Sequence, residues 1–385
     1  MKLQTGTKKT ILLFTDWYEP GFKAGGPIRS CVNFVRQMQN SYRIFVFTSD
    51  RDLGSPEPYE NIRVNEWIAT EGDVQLYYCS PENQNWQHIR EQVKIIAPDF
   101  IYLNSMFSPK FTIYPLIINR MSKQKATLIL SPRGMLKDSA VQFKSLKKSI
   151  FLKSLRGLGF HRNIHFHASD ATELNDIHAH FGANVKATCI PNFPGSLPVG
   201  SPVPEKRVGE LSMIFIGRIH PIKNLDYLLL ALKEASSKIR LTIIGGMEDT
   251  QYWKECQEII AHLPAAVSVH YAGELPNHEL LPVISAHHIF ALPTKGENFG
   301  HAIFEALAAG RPVLISDQTP WKGLEASKAG WDLPLGSPAI FGETIGKASV
   351  FDQEEYNGWC RSARQYIEEY MNSLNLKEAY LKLFS

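Results

Sequence analysis

The sequence predicts an α/β protein with two Rossmann-like domains. Two observations carry this reading: each half of the chain alternates short apolar runs with longer helical patterns, and a proline-rich break without periodicity separates the halves. The length of 385 residues agrees, because a single hydrophobic core stops growing well below it.

In the first half, strands are predicted at 10–15 (TILLFT), 43–48, 100–104, 127–131 and 164–169, with helices over 29–40, 85–96 and 109–121. Residues 61–80 alternate with a period of two, which suggests an insertion or an extra strand pair. The second half repeats the rhythm, with strands at 212–217, 240–246, 267–273, 288–293 and 312–316 and helices at 224–235, 249–262, 277–286 and 301–309. The expected boundaries are an N-terminal domain over 1–190, a linker over 191–208, a C-terminal domain over 209–355, and a helical, amphipathic segment over 356–385 that packs back across the junction.

Composition narrows the function classes. With 44% hydrophobic and 21% charged residues the chain is neither disordered nor a disulfide scaffold, and its five scattered cysteines form no Cys-x-x-Cys pair that suggests structural zinc. No apolar run approaches the roughly 18 residues that span a bilayer. The early apolar run ILLF is cut short at Asp16, so a non-exported protein of a reducing cytoplasm is expected. No Gly-x-Ser-x-Gly elbow or Walker loop is present, which removes the hydrolase and P-loop kinase readings.

Three loops are candidates for ligand contact. After the first strand, DWYEPGFKAGGPIRS places Gly25 and Gly26 ahead of a helix that Pro27 would start, where backbone N–H groups can approach an anion. The glycine spacing does not fit a dinucleotide fingerprint, and a tight ligand-free turn is the competing reading. In the second half Arg218 and Lys223 follow a strand with little acid nearby in sequence; they clamp a diphosphate or are simply solvated. In PTKGENFGHAIFEALAAGRPVLIS, Glu297 lies in a loop and Glu305 in the following helix, with the N–H groups of Asn298, Phe299 and Gly300 between them. Carboxylates so placed accept hydrogen bonds from vicinal sugar hydroxyls, and an apolar helix makes a merely solvated Glu305 the less natural reading.

Together with IPNF, GRIHPIKN and YAGEL, these motifs resemble the retaining nucleotide-sugar glycosyltransferases of family 4, over nearly the whole chain. The Glu-seven-Glu spacing is the most specific of them. The resemblance implies a GT-B architecture, two Rossmann-like domains facing across a cleft that holds the donor. It implies that Arg218 and Lys223 bind the donor diphosphate and that Glu297 holds the transferred sugar. Phe299 and Gly300 would approach sugar and phosphate, Glu305 would hold the ribose, and Gly25 and Gly26 would meet the phosphates from the other domain. Glu297, Arg218 and Lys223 are then the catalytic candidates. No cofactor and no metal are implied; the nucleoside-diphosphate sugar is the co-substrate and a saccharide or glycolipid the acceptor, in surface polysaccharide assembly. The alternatives are a nucleotide-sugar epimerase and a catalytically silent nucleotide-sugar-binding protein. One departure stands out: where relatives carry a sugar-contacting histidine, this chain has Arg133 and Gly134 in LSPRGML. Arg133 contacts an anionic acceptor or sugar, or it supports the cleft wall.

Other signals are weighed against plainer readings. Asp50-Arg51-Asp52 has the Asp-x-Asp spacing of manganese-binding transferases, yet a solvated loop is the expected state, and the histidines at 161, 165, 167, 287 and 288 read as strand-end residues rather than ligands. Residues 137–162 hold seven Lys or Arg against one Asp, interleaved with Phe143, Leu146, Ile150, Phe151, Leu152, Leu155 and Leu158. That helix rests on an anionic membrane surface, which would place the protein at the inner face of the membrane, or it is a core helix with a solvated basic face. No nucleic-acid partner is expected, because no binding module accompanies the charge.

Overall fold

Parallel strand pairing organises both halves of the chain. The computed structural model describes residues 8–136 and 145–385 (side chains from 148 in the second stretch) and divides into two compact units, Met1–Phe193 with Asn375–Ser385, and Pro194–Leu374. In unit 1 the strands are β1 (Thr10–Phe14), β2 (Arg43–Ser49), β3 (Trp67–Ala69), β4 (Val74–Cys79), β5 (Phe100–Leu103), β6 (Thr127–Leu130), β7 (Ile164–Ala168) and β8 (Ala187–Cys189). They form one sheet in the order β3-β4-β2-β1-β5-β6-β7-β8, parallel except for the β3–β4 pair. The alternating stretch over 61–80 is therefore the strand pair anticipated, with β4 also taking a parallel place beside β2.

The central strands are buried on both faces, as a parallel sheet covered by helices requires, and Ile11 to Phe14 are fully enclosed. The helices of this unit are α1 (Gly26–Met38), α2 (Trp86–Ile96), α3 (Tyr114–Met121, entered through a π-helical turn Pro109–Ile113), α4 (Ser145–Gly157) and α5 (Ala171–Phe181). Asn85 and Asp170 cap α2 and α5 by accepting from backbone N–H groups three residues on. In α1, Ile28, Cys31, Val32, Val35 and Met38 recur at helical spacing and are buried against the sheet.

Unit 2 carries β9 (Glu210–Ile216), β10 (Lys238–Ile244), β11 (Val267–Gly273), β12 (Ile289–Leu292), β13 (Val313–Ser316) and β14 (Gly330–Leu333), parallel and ordered β11-β10-β9-β12-β13-β14. Its helices are α6 (Leu225–Ala231), α7 (Thr250–Ala261), α8 (Asn277–Ser285), α9 (His301–Ala308), α10 (Pro338–Ser349) and α11 (Gln353–Ser373). The order reverses direction at β9, between β10 and β12, and in open α/β sheets ligands bind at the carboxyl ends of strands beside such a point.

The last helix, α12 (Leu376–Leu383), belongs to unit 1, whereas α11 belongs to unit 2. Where the sequence suggested one helical segment over 356–385, the chain breaks at Leu374, which is extended. The break between units falls at Phe193, and the stretch expected as a linker is packed onto unit 2. Lys206 is buried there and donates to the carbonyls of Arg207, Ser349 and Phe351 at 2.9, 2.8 and 3.0 Å.

Candidate functional site

The carboxyl end of β9 gathers the residues singled out in the second half. Beyond β9 the chain runs through Gly217 and Arg218 to Lys223 and Asn224, and beyond β12 it runs through Thr294 to Gly300 at the head of α9. Backbone bonds lace these two loops together: Lys295 donates to the Ile222 carbonyl at 2.8 Å, and the fully buried Thr294 hydroxyl donates to the same carbonyl at 3.0 Å. Lys223 and Glu297, 74 residues apart, are thereby brought into a direct ion pair, Nζ to Oε2, with side chains only 15% and 20% exposed.

Two glycines make the approach possible. A Cβ on Gly245 would stand 2.0 Å from the Gly217 carbonyl oxygen, so the ends of β9 and β10 come this close only without a side chain. Gly300 has φ 77°, and a Cβ there would press on Ile303 at 2.8 Å and on Glu297 at 3.1 Å. The Phe299 ring is buried against Trp321, whose indole N–H donates to the Phe299 carbonyl at 2.6 Å. Glu305 follows in the first turns of α9 as a half-buried residue.

Arg218 and Lys223 do not stand in a loop with little acid, as the sequence suggested. Arg218 pairs with Glu248, and Lys223 pairs with Glu297. The carboxylates come from the ends of β10 and β12, the two strands flanking β9 in space but distant in sequence. Glu248 was not anticipated, although its place just past a strand's carboxyl end beside the switch point is the signal that would have found it.

In unit 1 the glycine loop has the expected local form. Gly25, with φ 63°, precedes α1; its carbonyl accepts from the Ile28 and Arg29 N–H groups, and Gly26 and Pro27 open the helix. Asp50 and Asp52 correct the solvated-loop reading, because both are buried. Asp50 pairs with Arg51 at 2.8 Å, and Asp52 accepts from the N–H groups of Phe22 at 2.7 Å, Lys23 at 3.1 Å and Leu53 at 2.8 Å. A carboxylate so occupied anchors the glycine loop to the end of β2. Asp16, at the end of β1, accepts from the Ser108 hydroxyl at 2.7 Å, and burial raises its pKa against that hydrogen bond.

Arg133, past β6, has a left-handed backbone with φ 55° and a guanidinium directed at Asn104, Asn192 and Tyr102. The histidines behave as strand residues: His165 meets the Thr188 hydroxyl at 2.7 Å and His167 the Ile190 carbonyl at 2.9 Å. Among the described residues, no group of three or more His, Cys, Asp or Glu is clustered as metal ligands are. Residues 137–144 of the basic segment lie outside the described residues. In α4 the apolar positions Leu152 and Leu155 are buried in the unit 1 core, while Ile150, Lys153 and Arg156, and Leu158 just past the helix, face solvent. Among the described residues no helix is long and apolar enough to cross a membrane.

Comparison with known proteins covers the same stretch of chain. The family described as glycosyl transferases group 1 matches residues 201–328, which contain Arg218, Lys223, Glu297 and Glu305. A D-inositol 3-phosphate glycosyltransferase of Rhodococcus erythropolis is 31% identical over 116 residues, 28% of this chain and 26% of that protein. A phosphatidyl-myo-inositol mannosyltransferase of Mycobacterium leprae is 28% identical over 144 residues, 36% of this chain and 37% of that protein. The chain thus aligns with about a quarter of the length of the first of these and little over a third of the second. In fold, the chain is similar to Anabaena Alr3699/HepE, solved with UDP and glucose, at TM-score 0.70 and 14% identity over 97% of this chain and 99% of that one. WaaG, a glycosyltransferase involved in lipopolysaccharide biosynthesis, gives TM-score 0.65 and 14% identity over 97% and 98%. Residues 201–328 therefore match the glycosyl transferases group 1, the family-4 type that the motifs resemble, and the chain as a whole has the GT-B fold.

Proposed function

We propose that the protein is a retaining glycosyltransferase that moves a sugar from a nucleoside-diphosphate donor to a saccharide or lipid-linked acceptor. The observation that carries this reading is the Lys223–Glu297 pair at the head of α9, within the matched segment and with Glu305 eight positions on. In this reading the Lys223 ammonium and the Arg218 guanidinium face the donor diphosphate and stabilise the negative charge that grows on it as the glycosidic bond breaks. Glu297 accepts from hydroxyls of the transferred sugar and Glu305 from those of the ribose. The acceptor hydroxyl attacks on the face the nucleotide leaves, and a donor phosphate oxygen takes its proton, so the leaving group's charge is met without a bound metal ion. Asn298, Phe299 and Gly300 bring backbone N–H groups to the sugar.

UDP is the first nucleotide to test, because a structure of similar fold holds UDP and glucose. The protein is expected to be stabilised against heat by one of UDP, GDP or ADP. A hundredfold excess over Kd contributes about 2.7 kcal/mol, a shift of several degrees. The shift should be indifferent to added manganese and lost in Glu305→Ala. No shift with any of the three nucleotides would remove the donor site and the proposed activity with it.

The solvent-facing side of α4 supports a second element of the proposal, contact with an anionic membrane surface that presents the acceptor. Its apolar stripe is spent on the core, so attraction rests on Lys153 and Arg156, with Ile150 and Leu158 meeting the interface. Each such cation contributes about 1 kcal/mol near an anionic surface. The protein should therefore co-sediment with vesicles containing phosphatidylglycerol but not with pure phosphatidylcholine vesicles, and Lys153→Glu with Arg156→Glu should abolish binding. Equal binding to both vesicle types would refute this.

A further inference from the structure

Arg133 is a half-buried cation that forms no ion pair with any carboxylate among the described residues. Its Nε and Nη2 both donate to Asn104 Oδ1, at 3.2 and 2.6 Å, Nη2 also donates to the Tyr102 hydroxyl at 3.0 Å, and Nη1 donates to Asn192 Oδ1. All of these acceptors are neutral. The network behind them is neutral too. His167 Nε2 lies 2.9 Å from the Ile190 carbonyl and must carry the proton there, so Nδ1 accepts from the Tyr102 hydroxyl at 2.8 Å. Burial, reinforced by the Arg133 charge, holds the His167 pKa down to about 3, which keeps the ring uncharged at neutral pH.

Among the described residues, no carboxylate forms an ion pair with Arg133. The buried Glu173 is occupied elsewhere, accepting from the Gly134 N–H at 2.5 Å and from the Ser169 N–H and hydroxyl at 2.7 Å each. Asp16 is engaged by Ser108. An ion held partly out of water is normally paired, because neutral hydrogen bonds only partly offset its lost hydration.

A second observation points to the same place. Asn104 is 3% exposed, and its amide Nδ2 has no hydrogen-bond partner. The orientation of that amide is fixed, because Oδ1 is the atom receiving two N–H groups of Arg133. An orphan donor and an unpaired guanidinium therefore stand together, at the carboxyl ends of the adjacent strands β5 and β6, where unit 1 would receive a ligand. Arg133 also keeps a left-handed backbone that a non-glycine residue adopts at a cost, which an over-determined functional position sustains.

We propose that Arg133, with the Asn104 amide, receives a negatively charged group of the acceptor, a carboxylate or a phosphate, and thereby selects acidic over neutral acceptors. This rests on the glycosyltransferase reading above. Asn104 and Asn192 hold the guanidinium plane in place, and Tyr102, with its ring 6.0 Å from the guanidinium carbon, backs it. An anion here would gain charge-assisted hydrogen bonds in a water-poor setting, a preference of about ten- to a hundredfold over a neutral analogue.

The test measures binding of glucuronic acid, glucose 6-phosphate and glucose to the full-length protein by titration calorimetry at fixed ionic strength. At least one of the two acids should bind ten times more tightly than glucose, and which one does so distinguishes a carboxylate from a phosphate reader. Arg133→Gln should erase the difference. Asn104→Asp guards against a merely misfolded variant: it keeps the side chain's shape and supplies the missing counter-charge, so it should raise the melting temperature while abolishing the preference. Glucose binding as well as both acids, no binding of either acid, or a preference that survives Asn104→Asp overturns the inference. Stabilisation by UDP, measured on the same samples, separates the two readings: if it persists while the acid preference is missing, only the Arg133 assignment falls.

Discussion

Replacing Lys223 with alanine is expected to lower donor turnover by at least about a hundredfold, the scale seen when one fixed donor to developing negative charge is removed. The lysine has no freedom to be replaced by a neighbour. Arg218 is engaged by Glu248, and the loop carrying Lys223 is tied to the next one through Thr294 and Lys295. Removing the ammonium also leaves Glu297 without its partner. That carboxylate is only 20% exposed, so unit 2 should lose about 1–3 kcal/mol, a shift of several degrees, and stay folded. The separation between activity and stability is therefore the diagnostic. Nucleotide release from the donor should collapse in Lys223→Ala while unit 2 keeps a cooperative thermal transition within about ten degrees of the parent's. Lys223→Arg should recover part of the rate, because it restores charge without the ammonium's position. Turnover within threefold of the parent protein would remove Lys223 from the leaving-group role.

The same pair shows what the sequence could and could not reveal. The strands were legible because a sheet buried on both faces leaves continuous apolar runs: TILLFT became β1 and PVLIS became β13, while VSVHYAG, which became the edge strand β11, showed by its alternation. The loops at the strand ends were legible too, as glycine-, proline- and charge-rich breaks. Partnership was not. Glu248 and Glu297 reach Arg218 and Lys223 because β10 and β12 lie on either side of β9, and strand order is a long-range property that no local window contains. Asp52 misled for the related reason that a charged triplet after a strand reads as solvated, until the fold delivers the backbone N–H groups of Phe22 and Lys23 to it. Short or weakly patterned elements were passed over: β14 is only four residues, GWDL, and of the eleven residues of α5 only Glu173, Ile177 and Phe181 are buried.

Phe384→Ala is expected to destabilise unit 1 by about 3–5 kcal/mol, the usual cost of emptying a buried aromatic site. The residue is next to last in the sequence, where tolerance to change is the ordinary expectation. Yet its ring is fully buried, with centroids 5.4 Å from Phe34, 5.9 Å from Tyr42, 5.5 Å from Phe100 and 5.4 Å from Tyr102, and its carbonyl accepts from the Tyr42 hydroxyl at 3.0 Å. Tyr380, one turn earlier, stacks on Phe193 at 4.3 Å and donates to the Pro191 carbonyl at 3.2 Å. These contacts put the last helix into the core of the first unit, and they also explain why the sequence reading fell short. Leu376, Tyr380, Leu383 and Phe384 form a readable apolar stripe, but the stripe does not say which core it enters. Because Tyr102 packs edge-on against Phe34 in the aromatic cluster and also accepts from Arg133, the loss should spread to that network. Hydrogen exchange resolves the outcome. Amides of β1, β5 and α1 should lose protection by the full amount, while those of β9 and β12 keep theirs. A uniform change across both units, or a loss below about 1 kcal/mol, would mean that the terminal helix is an appendage instead of a part of the first core.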